Sequence, residues 1–229
     1  MNHKPQLILA LDLNTHKQAM RWVNLLYPKV RIFKVGLQLY TACGPQIIKD
    51  IRKTGAQVFL DLKFNDIPNT MACAATEAVK LGVAMFTVHT LSGPTALKEV
   101  ARVCRKSRTK VIGVTILTSI CPHFLKDLGV KRALSREVLY LGAMAKRNGL
   151  DGLVCSVQEA RMIREYLGKN FLIITPGIRP QGYKQDDQSR IATAGQAVAC
   201  GADFIVVGRP ILEAPNPLLV VKELNCQGK

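Results

Sequence analysis

Acidic residues are in short supply in this chain. Only 16 Asp and Glu stand against 32 Lys and Arg, which leaves a formal net charge of +16 over 229 residues. Such a surplus is compatible with nucleic acid, a membrane surface or a small anionic substrate as partner. The basic residues are nevertheless spread out. Their densest run, Arg102 to Lys110, lies between a helical pattern and the next apolar run and reads as a solvated helix end and loop. Aromatics are also scarce, at 6% with one Trp, so the 48% hydrophobic content rests on Leu, Ile, Val and Ala, the composition of parallel strands covered by helices. None of the seven cysteines falls in a CxxC pair, and the number is odd. Neither a disulfide framework nor a zinc ribbon is indicated, and a reducing compartment is expected. Long apolar runs are missing too. Leu7–Leu11 is too short for a signal segment and nothing else could span a bilayer, so the expectation is a soluble, cytoplasmic protein with no membrane partner.

What the chain does have is a repeated alternation of short apolar runs and amphipathic segments. Strands are expected at Gln6–Asp12, Val30–Gly36, from Gln57, Met85–His89, Lys110–Leu117, Gly152–Cys155, Phe171–Ile174 and Asp203–Val207. Helical patterns occupy His16–Tyr27, with Asn14 or Thr15 as cap, then about 44–54 with Gly55 after it, 69–81, 94–106, 135–148 and 157–167. The region 119–134 is polar, with two short helical patterns. Eight such repeats predict one (β/α)8 barrel domain over residues 1–229, with its active site at the C-terminal strand ends. A doubly wound open sheet is the alternative. It would normally carry a glycine fingerprint after the first strand, where this chain reads Leu11-Asp-Leu-Asn-Thr15.

The polar strand ends are Asp12, Lys34, Asp61, Lys63, His89, Thr118, Arg179 and Arg209. In the third strand, alternation places Asp61 and Lys63 on one face and Leu62 toward a core, with Asp66 just beyond. Pro68 pre-sets the backbone for the next helix. Lys34, Asp61, Lys63 and Asp66 can form a ring of alternating charge. Each pair at about 4 Å is worth roughly 4 kcal/mol at an effective dielectric near 20, enough to keep both lysines charged. A charged lysine is a proton donor rather than a Schiff-base nucleophile. After strands seven and eight come Thr175-Pro-Gly-Ile-Arg179 and Val207-Gly-Arg209, where this fold most often binds phosphate. Gly177 and Gly208 allow close backbone approach and the arginines supply forked donors. The polar stretch 180–190 between them is a candidate lid.

Asp61-Leu-Lys63-Phe-Asn-Asp66-Ile-Pro-Asn-Thr70 resembles the DxKxxDIPNT signature of the orotidine 5′-phosphate decarboxylases. The resemblance extends over essentially the whole chain: L-A-L-D in the first strand, F-K-V-G in the second, T-x-L-T-S after the fifth, then T-P-G-I-R and V-V-G-R-P. It implies decarboxylation of orotidine 5′-monophosphate (OMP) to UMP and CO2, the last step of de novo pyrimidine nucleotide biosynthesis, without metal or cofactor. By the same resemblance Lys63 protonates C6, Asp61 lies against the departing carboxylate, and Lys34 and Asp66 complete the charge network. Asp12 and Lys34 are implied at the ribose hydroxyls, Thr118 at the pyrimidine edge, and Arg179, Gln188, Gly208 and Arg209 at the phosphate. A homodimer is implied, with Asp66, Ile67 and Thr70 completing the neighbouring site. Two departures stand out. Asn65 replaces a common His, and His89-Thr-Leu-Ser92-Gly93 replaces H-x-x-G-G.

The sequence is open to two rival readings. One is a metal-dependent phosphate-binding barrel, which needs carboxylates around a divalent ion or a neutral lysine in an apolar pocket. The other is a nucleic-acid-binding protein, suggested by net charge alone and supported by no recognition motif. The expectation is therefore a small-molecule substrate and no nucleic acid.

Overall fold

A computed structural model of the chain describes residues 5–180 and 191–226. Eight parallel strands close into a barrel in sequence order: β1 (Gln6–Ala10), β2 (Ile32–Gly36), β3 (Gln57–Phe64), β4 (Met85–His89), β5 (Lys110–Val114), β6 (Gly152–Val154), β7 (Leu172–Thr175) and β8 (Phe204–Val207). Between β1 and β5 lie α1 (His16–Leu26), α2 (Leu37–Cys43), α3 (Gln46–Lys53), α4 (Pro68–Lys80) and α5 (Gly93–Cys104). The second half adds α6 (Pro122–Asp127), α7 (Leu134–Arg147), α8 (Val157–Leu167), α9 (Ala194–Ala199), α10 (Arg209–Leu212) and α11 (Pro217–Cys226). The architecture is the expected (β/α)8 barrel, not the open sheet.

Local chemistry accounts for the boundaries. Thr15 caps α1 by accepting the Gln18 N–H, and Pro68 occupies the first turn of α4, where its missing N–H costs nothing. The helix expected over about 44–54 is present as α3, and α2 is an additional helix before it. Gly44 takes a φ of +61° and Pro45 follows, so the two helices are separated there. Only one of the two short helices expected over 119–134 is present, and α9, α10 and α11 were not anticipated. β1 and β5 also end earlier than expected, at Ala10 and Val114. Ala10 opposite Lys34 is the last β1–β2 rung, so Asp12 lies beyond the ladder, as Thr118 does in the turn after β5.

Two cores result. A large one fills the space between strands and helices. A smaller one plugs the barrel with Ile8, Ala10, Ile32, Phe59, Met85, Ile112, Ile174 and Val206. Because side chains alternate along a strand, the residue two positions after each plug residue also points inward, one layer nearer the C-terminal end. Those positions are Asp12 after Ala10, Lys34 after Ile32, Asp61 after Phe59 and Thr87 after Met85. The site is the layer where the inward face changes from apolar to ionic.

Candidate active site

A cavity of about 390 Å³ opens at that layer, bounded by Asp12, Lys34, Asp61 and Lys63 and reaching Arg179 and Arg209. In a ring of eight strands β3 and β7 face each other, so the β3 charges lie across the cavity from the Arg179 segment. Lys63 Nζ donates to Asp61 Oδ1 at 2.9 Å, Lys34 Nζ lies 3.7 Å from Asp61 Oδ2, and Lys34 also donates to Asp12 Oδ1 at 3.0 Å. Two cations and two carboxylates thus alternate. The fourth member within this chain is Asp12, however, not Asp66. Asp66 is exposed in the turn before α4, and its carboxylate accepts the Ile67 N–H at 2.7 Å instead. Ile67 and Thr70 are exposed as well, and none of the three lines this chain's own cavity.

Asp61 and Lys63 do meet, but not through the regular pleat that the sequence suggested. Leu60 stands opposite Phe86 in β4, while Phe64 stands opposite Val88, so β3 carries a bulge between them. Within it Lys63 adopts a φ of +50°, an unusual backbone for a side chain with Cβ. The Lys63 N–H displaced from the ladder donates to the Thr87 hydroxyl at 2.9 Å, and that hydroxyl donates to Asp61 Oδ1 at 3.0 Å. Thr87 is 0% exposed. It is the site residue that sequence reasoning missed. The available signal was a lone hydroxyl in β4, two residues after the inward-facing Met85.

Electrostatics follow from this arrangement. Burial would raise the pKa of Asp61, but the charges of Lys34 and Lys63 and hydrogen bonds from Lys63 and Thr87 outweigh it and hold the group below its ordinary value. Asp61 is therefore a fixed anion in the cavity wall. His89, at the end of β4, is shifted below its usual value by burial and then by the Lys63 charge. Its Nδ1 accepts the Leu91 N–H at 3.3 Å, a role open to the neutral ring.

At the other end, Arg179 is only 7% exposed and donates to the Ile178 carbonyl at 3.0 Å. Its segment is pinned by exchange with Ala192: the Arg179 N–H donates to the Ala192 carbonyl at 2.9 Å, and the Ala192 N–H to the Gly177 carbonyl at 3.1 Å. Gly177 has a φ of +74°, which only glycine adopts without strain. Gly208 needs space rather than conformational freedom, since a Cβ there would lie 3.3 Å from the Ala10 Cβ. Thr118, Gly208 and Arg209 border the cavity, whereas Gln188 and the rest of the candidate lid after Pro180 lie outside the described residues.

The two departures from the family pattern prove to be in contact. The Ser92 hydroxyl donates to Asn65 Oδ1 at 2.8 Å and is equally close to the His89 carbonyl oxygen. Among the described residues, no group of three or more His, Cys, Asp or Glu side chains is placed to hold a metal ion, and no helix is long and apolar enough to cross a membrane. None of the seven cysteines is paired.

Comparison with known proteins agrees with this geometry. The chain is 47% identical over 219 residues to the orotidine 5′-phosphate decarboxylase of Geotalea daltonii, covering 93% of this chain and 92% of the relative. It is 43% identical over 224 residues to that of Vibrio cholerae, covering 96% and 97%. Among solved structures, the orotidine 5′-phosphate decarboxylase of Lactobacillus acidophilus superposes with a TM-score of 0.88 at 34% identity, over 98% of this chain and 99% of that one. The enzyme of Methanocaldococcus jannaschii, solved with the inhibitor BMP, gives 0.80 at 28% identity over the same shares of the two chains. The pattern of the orotidine 5′-phosphate decarboxylase / HUMPS family matches residues 5–224, and with barrel, charged third strand and arginine-bearing ends in agreement, the chain belongs to that family.

Proposed function

We propose that this protein decarboxylates orotidine 5′-monophosphate to UMP and CO2, with Lys63 as proton donor. The observation that carries the reading is the Asp61 carboxylate held ionised between two ammonium groups in the cavity wall. A substrate phosphate held near Arg179, Gly208 and Arg209 sets the pyrimidine ring across the barrel toward β3. There the C6 carboxylate meets the fixed negative charge of Asp61, a repulsion that ends when CO2 departs. The C6–carboxylate bond breaks, its electron pair stays on C6, and a proton moves from Lys63 Nζ to that carbon. Lys63 is then reprotonated from solvent. Asp12 and Lys34 bind the ribose hydroxyls, and Thr118 the pyrimidine edge. Phosphate contacts far from the reacting carbon supply binding energy that the chemical step can use.

Asp66, Ile67 and Thr70 complete the site of a second copy, giving a cytoplasmic homodimer. Their exposure at the start of α4, away from this chain's cavity, supports that reading. Gln188 joins the phosphate contacts.

The test is ultraviolet-monitored turnover of orotidine 5′-monophosphate with a chelator present, wild type beside Lys63→Ala. Turnover by wild type and near-total loss in the variant is the expected result. A folded wild type with no turnover, regained only on sugar phosphates with added divalent metal, would instead identify a metal-dependent sugar-phosphate enzyme of the same fold.

A further inference from the structure

The surplus positive charge is not spent at the active site. Two clefts on the outer surface concentrate it. One, of about 640 Å³, is walled by Lys98, Arg102 and Arg105 near the end of α5, Lys110 at the start of β5 and Arg147 at the end of α7, with Asp151 its one lining carboxylate. The other, of about 420 Å³, lies between α7 and α8 and brings Arg132, Arg136, Tyr140 and Tyr166 together. Arg147 lines both, so the two clefts adjoin at that side chain. Arg136, Tyr140, Ala143 and Arg147 are spaced four, three and four apart and share one face of α7.

From this we propose that the α5–α7–α8 surface binds single-stranded polynucleotide. Three of its cations are engaged: Arg102 with Glu99, Lys110 with Asp151 and Arg132 with Glu137. Among the described residues no carboxylate lies within ion-pair distance of Lys98, Arg105, Arg136 or Arg147. From Arg136 to Arg147 the helix rises about 16 Å, far more than one phosphate group covers, so the surface suits an extended polyanion. Most of the cations are guanidinium groups, which fork onto phosphate and stack on bases. Two tyrosines add π surface: Tyr140 is 43% exposed with the Arg132 guanidinium 4.2 Å from its ring centre, and Tyr166 is 66% exposed. An anionic membrane is the weaker fit. It calls for apolar side chains to insert, and no large aliphatic or Phe side chain on this surface is exposed.

In the sequence the basic residues are spread out, the 102–110 run reads as a solvated helix end and loop, and no recognition motif for nucleic acid is present. Folding sets that run against Arg147 at the end of α7. Lys110 opens β5 and Asp151 precedes β6, so the cleft they share with Arg147 lies toward the N-terminal strand ends, and the surface climbs along α7 to Arg136 and Arg132 at the helix start.

The experiment is fluorescence anisotropy with a labelled oligouridylate of about 20 nucleotides, long enough to span the groove. Wild type is compared with Arg136→Glu/Arg147→Glu and with Lys17→Glu/Arg21→Glu, which makes the same charge change on α1. The groove variant is expected to bind about tenfold more weakly, with a shallower dependence of log K on log salt, while the α1 variant stays within about twofold. Tyr166→Ser is expected to weaken the single strand more than a duplex of equal length. Circular dichroism and OMP turnover report folding, and Arg136→Gln/Arg147→Gln replaces the reversal if that fails to fold. Absence of wild-type binding, equal losses in both charge variants, or tighter groove-dependent binding to phosphatidylserine vesicles would each overturn the proposal.

Discussion

The buried hydroxyl of Thr87 donates to Asp61 Oδ1 at 3.0 Å, joining β4 to the central anion of the charge cluster. The same oxygen accepts the Lys63 N–H, so one side chain fixes both the acid and the backbone that carries the ammonium. Thr87→Val keeps the shape and removes these bonds. Leaving such groups unsatisfied costs about 1–3 kcal/mol, and kcat is expected to fall by about ten- to a hundredfold with little change in KM. Thr87→Ser should recover most of the loss. Steady-state kinetics on the three proteins, with thermal melts beside them, check this.

Lys63 carries its ammonium on a backbone at φ +50°. Holding a non-glycine residue there costs on the order of 1 kcal/mol. Lys63→Gly and Lys63→Ala both lose the proton donor and should both be inactive. The glycine variant is expected to melt at the higher temperature, because only it escapes the strain. An equal or lower melting point would show that the bulge costs nothing.

His89 makes stability depend on pH. Its folded pKa lies below the usual 6.5, so the unfolded chain takes up the proton first as pH falls. This part of the stability is present above pH 6.5 and lost as pH drops toward the folded value. Asp61 acts elsewhere: its contribution is present above the ordinary 3.8 and lost only as pH falls through its depressed value. Denaturant unfolding of wild type and His89→Gln between pH 7 and pH 5 should show a flatter profile in the variant.

Gly152 opens β6 against β7 with no room to spare. A Cβ there would lie 2.4 Å from the Leu172 carbonyl oxygen, a backbone atom that cannot swing aside. Gly152→Ala should destabilise by about 1–3 kcal/mol, the usual cost of overpacking, while KM is unchanged in whatever fraction stays folded. Chemical denaturation measures the first and kinetics the second.

If Asp66 serves the neighbouring copy, Lys63→Ala and Asp66→Ala chains are each inactive alone but complementary. Mixing them under conditions that exchange subunits should restore activity toward a quarter of the wild-type value per site, since a random mixture forms about half mixed dimers with one intact site each. A mixture that stays inactive despite demonstrated exchange would place Asp66 in its own chain's site.

Composition and period gave eight strand–helix repeats, and the absence of a glycine fingerprint after the first strand favoured a barrel over an open sheet. Apolar runs of Leu, Ile and Val at regular intervals can only be buried as parallel strands under helices, and the inward positions of Asp12, Lys34, Asp61 and Thr87 follow from simple alternation. The signature around Asp61, Lys63 and Asp66 makes the family legible in the sequence itself, because its chemistry depends on residue type and short spacing. Tertiary structure decided the rest, for reasons of distance and register that a linear pattern does not encode. A bulge set the approach of Lys63 to Asp61, since pairing with β4 depends on another strand. Asp12 joined Lys34 while Asp66 turned to its own helix start, because closure of the barrel fixes which strand ends adjoin. Packing likewise set Arg102 and Arg105 around one cleft with Arg147, gathering charge that is scattered in the sequence.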